Sequence, residues 1–250
     1  MPEPLLETRG LAKSFGGLLA TGDVSLAMMA GELHAIIGPN GAGKTTLIAQ
    51  LAGELAPDAG HVLFAGNDVT RLGVPARVAL GIARSFQITS LFAEFTALDN
   101  VALTVQALAG HSFRFWRPAG RDPQLRDPAR ALLAELGLGD RADVPAAALS
   151  HGEQRALDIA MVLATWPRLL LLDEPMAGMG PEDAAQMVVR LAALKRQVTI
   201  VLVEHDMDAV FALADRITVL ANGRTIATGS AAEIRADPEV RRAYLGEAAA

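Results

Sequence analysis

The segment Gly38-Pro39-Asn40-Gly41-Ala42-Gly43-Lys44-Thr45, followed by Thr46, has the Gly-x4-Gly-Lys-Thr spacing of a phosphate-binding loop. Glycines let the backbone curl until successive N–H groups face phosphate oxygens, and the helix that follows adds its positive end. Lys44 can neutralise β- and γ-phosphate charge, and the Thr45 hydroxyl can ligate Mg²⁺. The flanks agree: a strand-sized apolar run, Leu33 to Ile37, precedes the loop, and helix-forming residues Thr46 to Leu51 follow it. A second group of chemical residues follows Leu169-Leu170-Leu171-Leu172, where the chain reads Asp173-Glu174-Pro175. An apolar strand that delivers a carboxylate at its C-terminal end suits Asp173 as a Mg²⁺ ligand, direct or through water. Glu174 alternates to the other side and is the candidate general base for a water attacking the γ-phosphate. The plainer reading, a strand ending in two solvated acids, needs no phosphate loop elsewhere in the chain.

The elements that must hold these residues are an alternation of strands and helices. Strand-length apolar segments occur at Val24 to Met28, Leu33 to Ile37, His61 to Phe64, Leu169 to Leu172, Val198 to Val203 and Ile217 to Leu220, separated by longer helical patterns. That order predicts an α/β fold with a partly parallel sheet. The runs at Leu169 and Val198 show no period-2 alternation, as central strands covered on both faces should. Between about Ile88 and Leu149 the strand signals vanish. Helical patterns at Thr96 to Leu108 and Pro128 to Leu136 predict a helical subdomain inserted at 88–149, between sheet segments 1–87 and 150–250. Its middle, His111 to Asp127, contains Pro118 and Pro123 with four arginines and reads as an exposed connection.

Composition narrows the function. Half of the residues are hydrophobic (51%), enough to fill a sizeable core, and 22 Lys and Arg against 28 Asp and Glu give a net charge of −6. No basic field exists to attract nucleic acid, so no nucleic-acid partner is expected. The absence of cysteine excludes disulfides and thiolate metal sites. The acidic N-terminus does not read as a signal peptide, and no run approaches the ~20 apolar residues of a membrane span. A membrane role therefore requires a partner.

Leu149-Ser150-His151-Gly152-Glu153-Gln154-Arg155 resembles the signature sequence of the ABC ATPases, and it lies about twenty residues before the Asp173 strand, as in that family. The resemblance covers nearly the whole chain. It implies a P-loop NTPase fold of the ABC type: a mixed sheet core, an antiparallel β subdomain and the inserted helical subdomain. It also implies that two ATPase subunits, identical or not, enclose MgATP, with Ser150, His151, Gly152 and Glu153 of one facing the ATP on the other. Ser150 with Glu153 is equally a capping box, which needs no ligand, and both readings can hold. By the same resemblance Gln87 reaches the metal and the attacking water. His205 holds the γ-phosphate near Glu174, and Phe15 stacks on adenine. Read alone, Gln87 is an ordinary loop residue, His205 a structural histidine and Phe15 a core aromatic.

Finer details resemble the ATP-binding subunits of branched-chain amino acid importers, in particular the larger of the two ATPases such importers pair. They are Phe15-Gly16-Gly17, Leu91-Phe92, the signature form, Pro175-Met-Ala-Gly-Met-Gly-Pro181, Glu204-His-Asp-Met207 and Ala243-Tyr-Leu-Gly246. This implies permease partners, a periplasmic solute-binding protein acting indirectly, and a peripheral position on the cytoplasmic face of a prokaryotic inner membrane. A soluble ABC-type ATPase serving as an assembly or scaffold module is the alternative. Two departures stand out: Gly180 occupies a position where the family commonly has Asp, and Glu153 replaces Gln.

Overall fold

The computed structural model describes residues 3–85, 91–108 and 122–245. Its larger sheet has six strands in the order β10-β9-β3-β8-β7-β6. These are β3 (Leu33–Ile37), β6 (Ile82–Arg84), β7 (Leu169–Asp173), β8 (Thr199–Val203), β9 (Arg216–Ala221) and β10 (Arg224–Gly229). The pairs from β9 to β6 are parallel and β10 is an antiparallel edge. A smaller antiparallel sheet, in the order β2-β1-β4-β5, is built from β1 (Leu6–Phe15), β2 (Leu18–Met28), β4 (Ala59–Phe64) and β5 (Asn67–Asp68).

Every residue of β7 and β8 is buried, and alternate side chains enter different cores. Leu169, Leu171, Val201 and Val203 pack with the phosphate-loop helix α1 (Lys44–Ala52) and the smaller sheet. Leu170, Leu172, Ile200 and Leu202 face α3 (Ala97–Leu108), α4 (Pro123–Glu135), α5 (His151–Leu163) and α6 (Pro181–Leu194). Two covered faces are the reason these runs carry no alternation. A third cluster joins Ala35, Ile37, Ile217 and Val219 to residues of α7 (Met207–Leu213), α8 (Ala231–Ala236) and α9 (Pro238–Leu245). Among the described residues no helix is long and apolar enough to cross a membrane.

The sequence reading contains no β1, β5, β6 or β10: β1 carries register shifts and a mixed burial pattern, β5 has only two residues and β6 only three. It also places the start of α4 at Pro128, whereas the helix begins at Pro123. Asp122 accepts a capping bond from the Gln124 amide and Pro123 takes the first helical position, where its missing N–H costs nothing. Pro128 then sits inside the helix. Residues 111–121, with most of the arginine and aromatic segment, lie outside the described residues.

Helix α1 is anchored at its rear by α2 (Val74–Leu80). Arg77 of α2 is fully buried, and its guanidinium donates to the carbonyls of Gln50 (2.7 Å), Leu51 (2.6 Å), Leu72 (3.0 Å) and Thr70 (3.1 Å). Two of these belong to the last turn of α1, where the Gln50 carbonyl otherwise accepts only a 3.3 Å bond from the Gly53 amide, and a cation there also complements the helix dipole. Burial lowers the Arg77 pKa to about 10, with Asp68 opposing the shift. Arg77→Met should remove the guanidinium from all four carbonyls, leaving Gln50 only its weaker backbone bond, and cost about 3 kcal/mol, read as a Tm lower by about 6 to 12 °C. An unchanged Tm would show that water replaces the guanidinium without loss.

Candidate active site

The parallel strands bring three chain segments to the C-terminal end of the sheet. Gly38 follows β3 directly, Glu174 follows β7, and Glu204 and His205 follow β8. The Glu174 amide donates to the Val203 carbonyl at 2.9 Å, extending the β7–β8 ladder one residue past its regular end. Glu174 itself has φ 49°, a left-handed conformation uncommon for a side chain of this size.

Glycine is obligatory at two points of the loop. A Cβ on Gly43, where φ is 100°, would lie 2.0 Å from the Ala20 carbonyl oxygen, and one on Gly38 would lie 2.2 Å from that of Leu220. The loop is thus pressed against the start of β2 and the end of β9. Among the described residues no side chain caps α1 and no acid stands in its first turn. Its N-terminal amides and dipole therefore point into a cleft of about 280 Å³ lined by Asn40 to Thr46, Phe15 and Glu174. Phe15 is 51% exposed at the cleft mouth, as a stacking ring should be and a core ring should not. Pro39 is exposed and does not line the cleft.

Lys44 is buried, and its ammonium donates to the carbonyls of Gly38 (2.6 Å) and Pro39 (3.1 Å). Burial pulls its pKa down, while Glu174 and Asp173 hold it up. Asp173 is only 3% exposed, and burial pushes its pKa up against the opposing charge of Arg84. Arg84 donates to Asp173 Oδ2 at 2.9 Å and also pairs with Glu54 just beyond α1. Residues 84 and 173 are far apart in the chain, and no motif marked this pair. The donors at this end of the cleft are the Thr45 hydroxyl and carboxylates, an oxygen set suited to a hard divalent cation. Arg84 engages Asp173 Oδ2, which leaves Oδ1 as the oxygen for such a cation or its water.

Ser150 to Glu153 do not line this cleft. Ser150 caps α5, accepting from the Glu153 amide at 3.2 Å, while Glu153 accepts from the Ser150 amide at 2.8 Å, so the capping box is formed. Glu153 also pairs with Arg141 at 2.9 Å. His151 is exposed, 3.3 Å from the Ala177 carbonyl, and Gly152 abuts Asp183 so closely that a Cβ would sit 2.8 Å from its carboxyl carbon. The His205 side chain is 65% exposed and does not line the cleft either. Gln87 lies outside the described residues.

A family model described as ABC transporter matches residues 21–177, and one described as Branched-chain amino acid ATP-binding cassette transporter matches residues 224–250. The high-affinity branched-chain amino acid transport ATP-binding protein LivG of Salmonella typhimurium is 40% identical over 99% of this chain and 100% of its own length. The corresponding BraF of Pseudomonas aeruginosa is 37% identical with the same coverage. The crystal structure of an ATP-binding cassette of an ABC transporter in its ADP conformation superposes with a TM-score of 0.86 at 31% identity, covering 98% of this chain and all of that one. An uncapped phosphate-loop helix facing an acidic strand exit, on a fold shared from end to end with these proteins, places the chain in the ABC transporter family as an ATP-binding, ATP-hydrolysing subunit that energises transport.

Proposed function

We propose that this subunit powers an importer of branched-chain or related amino acids from the cytoplasmic face of the membrane, peripherally attached to permease subunits and served by a periplasmic solute-binding protein. The cargo reading is supported by the match of residues 224–250 and by the names of LivG and BraF. The division into a sheet core (1–87 and 150–250) and a helical subdomain (88–149) belongs to the same reading, with α3 and α4 turned toward the permease.

The observation that carries the chemistry is that Lys44, Thr45 and Glu174 line one cleft at the uncapped end of α1. ATP would enter with its adenine on Phe15 and its phosphates against the amides of Gly38 to Thr46. Lys44 would exchange the carbonyls of Gly38 and Pro39 for β- and γ-oxygens, a stronger charge-assisted pairing. Thr45 and Asp173, with Gln87, would hold Mg²⁺, which neutralises the phosphate charge that develops in transfer. Glu174 would accept a proton from the attacking water, and His205 would hold the γ-phosphate. The signature residues Ser150, His151, Gly152 and Glu153 do not line their own cleft and would complete the cleft of a second ATPase subunit.

Proteoliposomes carrying the permease, this ATPase and its partner ATPase test the cargo. Leucine-, isoleucine- or valine-loaded binding protein should stimulate ATP turnover. Stimulation by an unrelated solute alone would overturn the cargo reading and leave the ATPase reading intact.

Lys44→Ala should weaken ATP binding about 10- to 100-fold, as loss of a charged contact does, and lower turnover with it. Phe15→Ala should weaken binding by ~1 to 3 kcal/mol, measured by titration calorimetry. Unchanged affinity would return Phe15 to a surface role.

Glu174→Gln should bind MgATP nearly as well as the parent and hydrolyse it about 10²- to 10⁴-fold more slowly. With its partner ATPase present it should form an ATP-dependent dimer in light scattering, and adding Ser150→Arg should abolish that dimer by crowding the γ-phosphate. A dimer that survives Ser150→Arg would reduce the signature to a helix cap.

A further inference from the structure

Glu204 takes no part in the chemistry described so far, yet it lies where two functional loops leave the sheet. It is the first residue after β8 and is 1% exposed. Its Oε1 accepts from the Met176 amide at 2.9 Å, and its Oε2 accepts from the His205 amide at 3.1 Å. The Asp206 amide also bonds to it. Met176 stands two residues after Glu174, in a segment that is itself buried. One carboxylate thus collects amides from the exit of β7 and from the exit of β8.

We infer that Glu204 is a positioning residue, a buried carboxylate clamp that fixes the loop of Glu174 against the loop of His205. This rests on the roles assigned above to Glu174 and His205.

The chemistry favours a carboxylate over other side chains. Adjacent parallel strands run ~4.8 Å apart, so a side chain rising from one exit reaches the first turn of its neighbour only if it is as long as Glu. An ionised carboxylate is acceptor-only, with two oxygens that can each take more than one donor, which matches N–H groups converging from two sides. Without it, the Met176 amide would be buried with no partner. Among the described residues no Lys or Arg pairs with Glu204, and the nearest basic group is His205 Nδ1 at 3.8 Å. Burial pushes its pKa up, and the amides with the His205 ring push back. Using a buried charge here for amides alone is costly. That cost has a return in geometry: the left-handed turn at Glu174 is pinned from its own amide by Val203 and from beyond by Glu204.

Glu204→Gln separates this role from simple support. The amide oxygen can still accept from Met176, but its NH₂ meets the His205 and Asp206 N–H groups donor to donor. Amide hydrogen exchange should quicken at His205 and Asp206, ATP affinity should stay within about twofold, and kcat should fall about 10- to 100-fold, the effect of misplacing a reacting group by about 1 Å. In a Glu174→Gln background the same change should remove less than about twofold more, because residues acting through one another are non-additive. Glu204→Asp, which keeps the charge and shortens the reach, is the second arm. It should lose kcat with affinity retained and quicken exchange at Met176, and it tests the clamp if the Gln variant does not fold. Losses that multiply in the double variant, or equal losses of affinity and kcat, would overturn the clamp while the base assignment stands. A Glu174→Gln protein with parental turnover would overturn both.

Discussion

The hydrogen-bond register of three parallel strands is the constraint on which the site depends. Ile36 of β3 is paired with Val203 of β8, and Val203 with Asp173 of β7, so these residues form one row across the sheet. Beyond that row come Gly38, His205 and Glu174, each within two residues. Side chains in a strand alternate faces, so a slip of one residue in β7 would turn Asp173 away from Lys44 and move Leu170 and Leu172 into the wrong core. The two cores that flank β7 and β8 therefore enforce catalytic geometry as well as stability. Neither core can be satisfied in another register.

On that frame the electrostatics are held in tension. Lys44 is pulled toward its neutral form by burial and Asp173 likewise, while each holds the other toward the charged form. Arg84 ties Asp173 to Glu54, just beyond the end of α1, and Arg77 ties the same end of α1 to α2. The phosphate-loop helix thus presents a bare N-terminus to the cleft while its C-terminus is restrained by two arginines. A helix that cradles phosphate with its first-turn amides must not recoil when that charge changes, and its fixed rear end meets this requirement.

The phosphate loop, the Asp173-Glu174 pair and the signature were legible because each is contiguous, and its chemistry depends on neighbours one to seven residues apart. The buried strands were legible for a related reason: covering both faces of β7 and β8 leaves unbroken apolar runs. Strands β1, β5, β6 and β10 were not, since edge position, bulges and lengths of two or three residues erase the periodic signal. The helical pattern read from Pro128 missed the first five residues of α4, where the cap at Asp122 and Pro123 at the first helical position outweigh the bond lost at Pro128. Arg84 and Glu204 lay beyond reach for another reason. Arg84 meets a residue 89 positions away and Glu204 one 28 away, and a contact made by sheet topology leaves no mark in local spacing.

The signature segment shows how a structural and a chemical reading occupy the same atoms. The capping box uses an acceptor lone pair of the Ser150 hydroxyl, and a hydroxyl that accepts in this way keeps its O–H as a donor. Capping α5 therefore fixes the Ser150 oxygen without consuming the group that a phosphate oxygen would accept from. The substitution of Glu for Gln at 153 is absorbed by the same arrangement. Its carboxylate is drawn back to the Ser150 amide and to Arg141, so the charge is engaged within the chain rather than presented to an approaching anion. A glutamine could make the backward bond but would leave Arg141 without its carboxylate. At this position the acid stabilises the helix terminus proposed above to face the ATP of a second subunit.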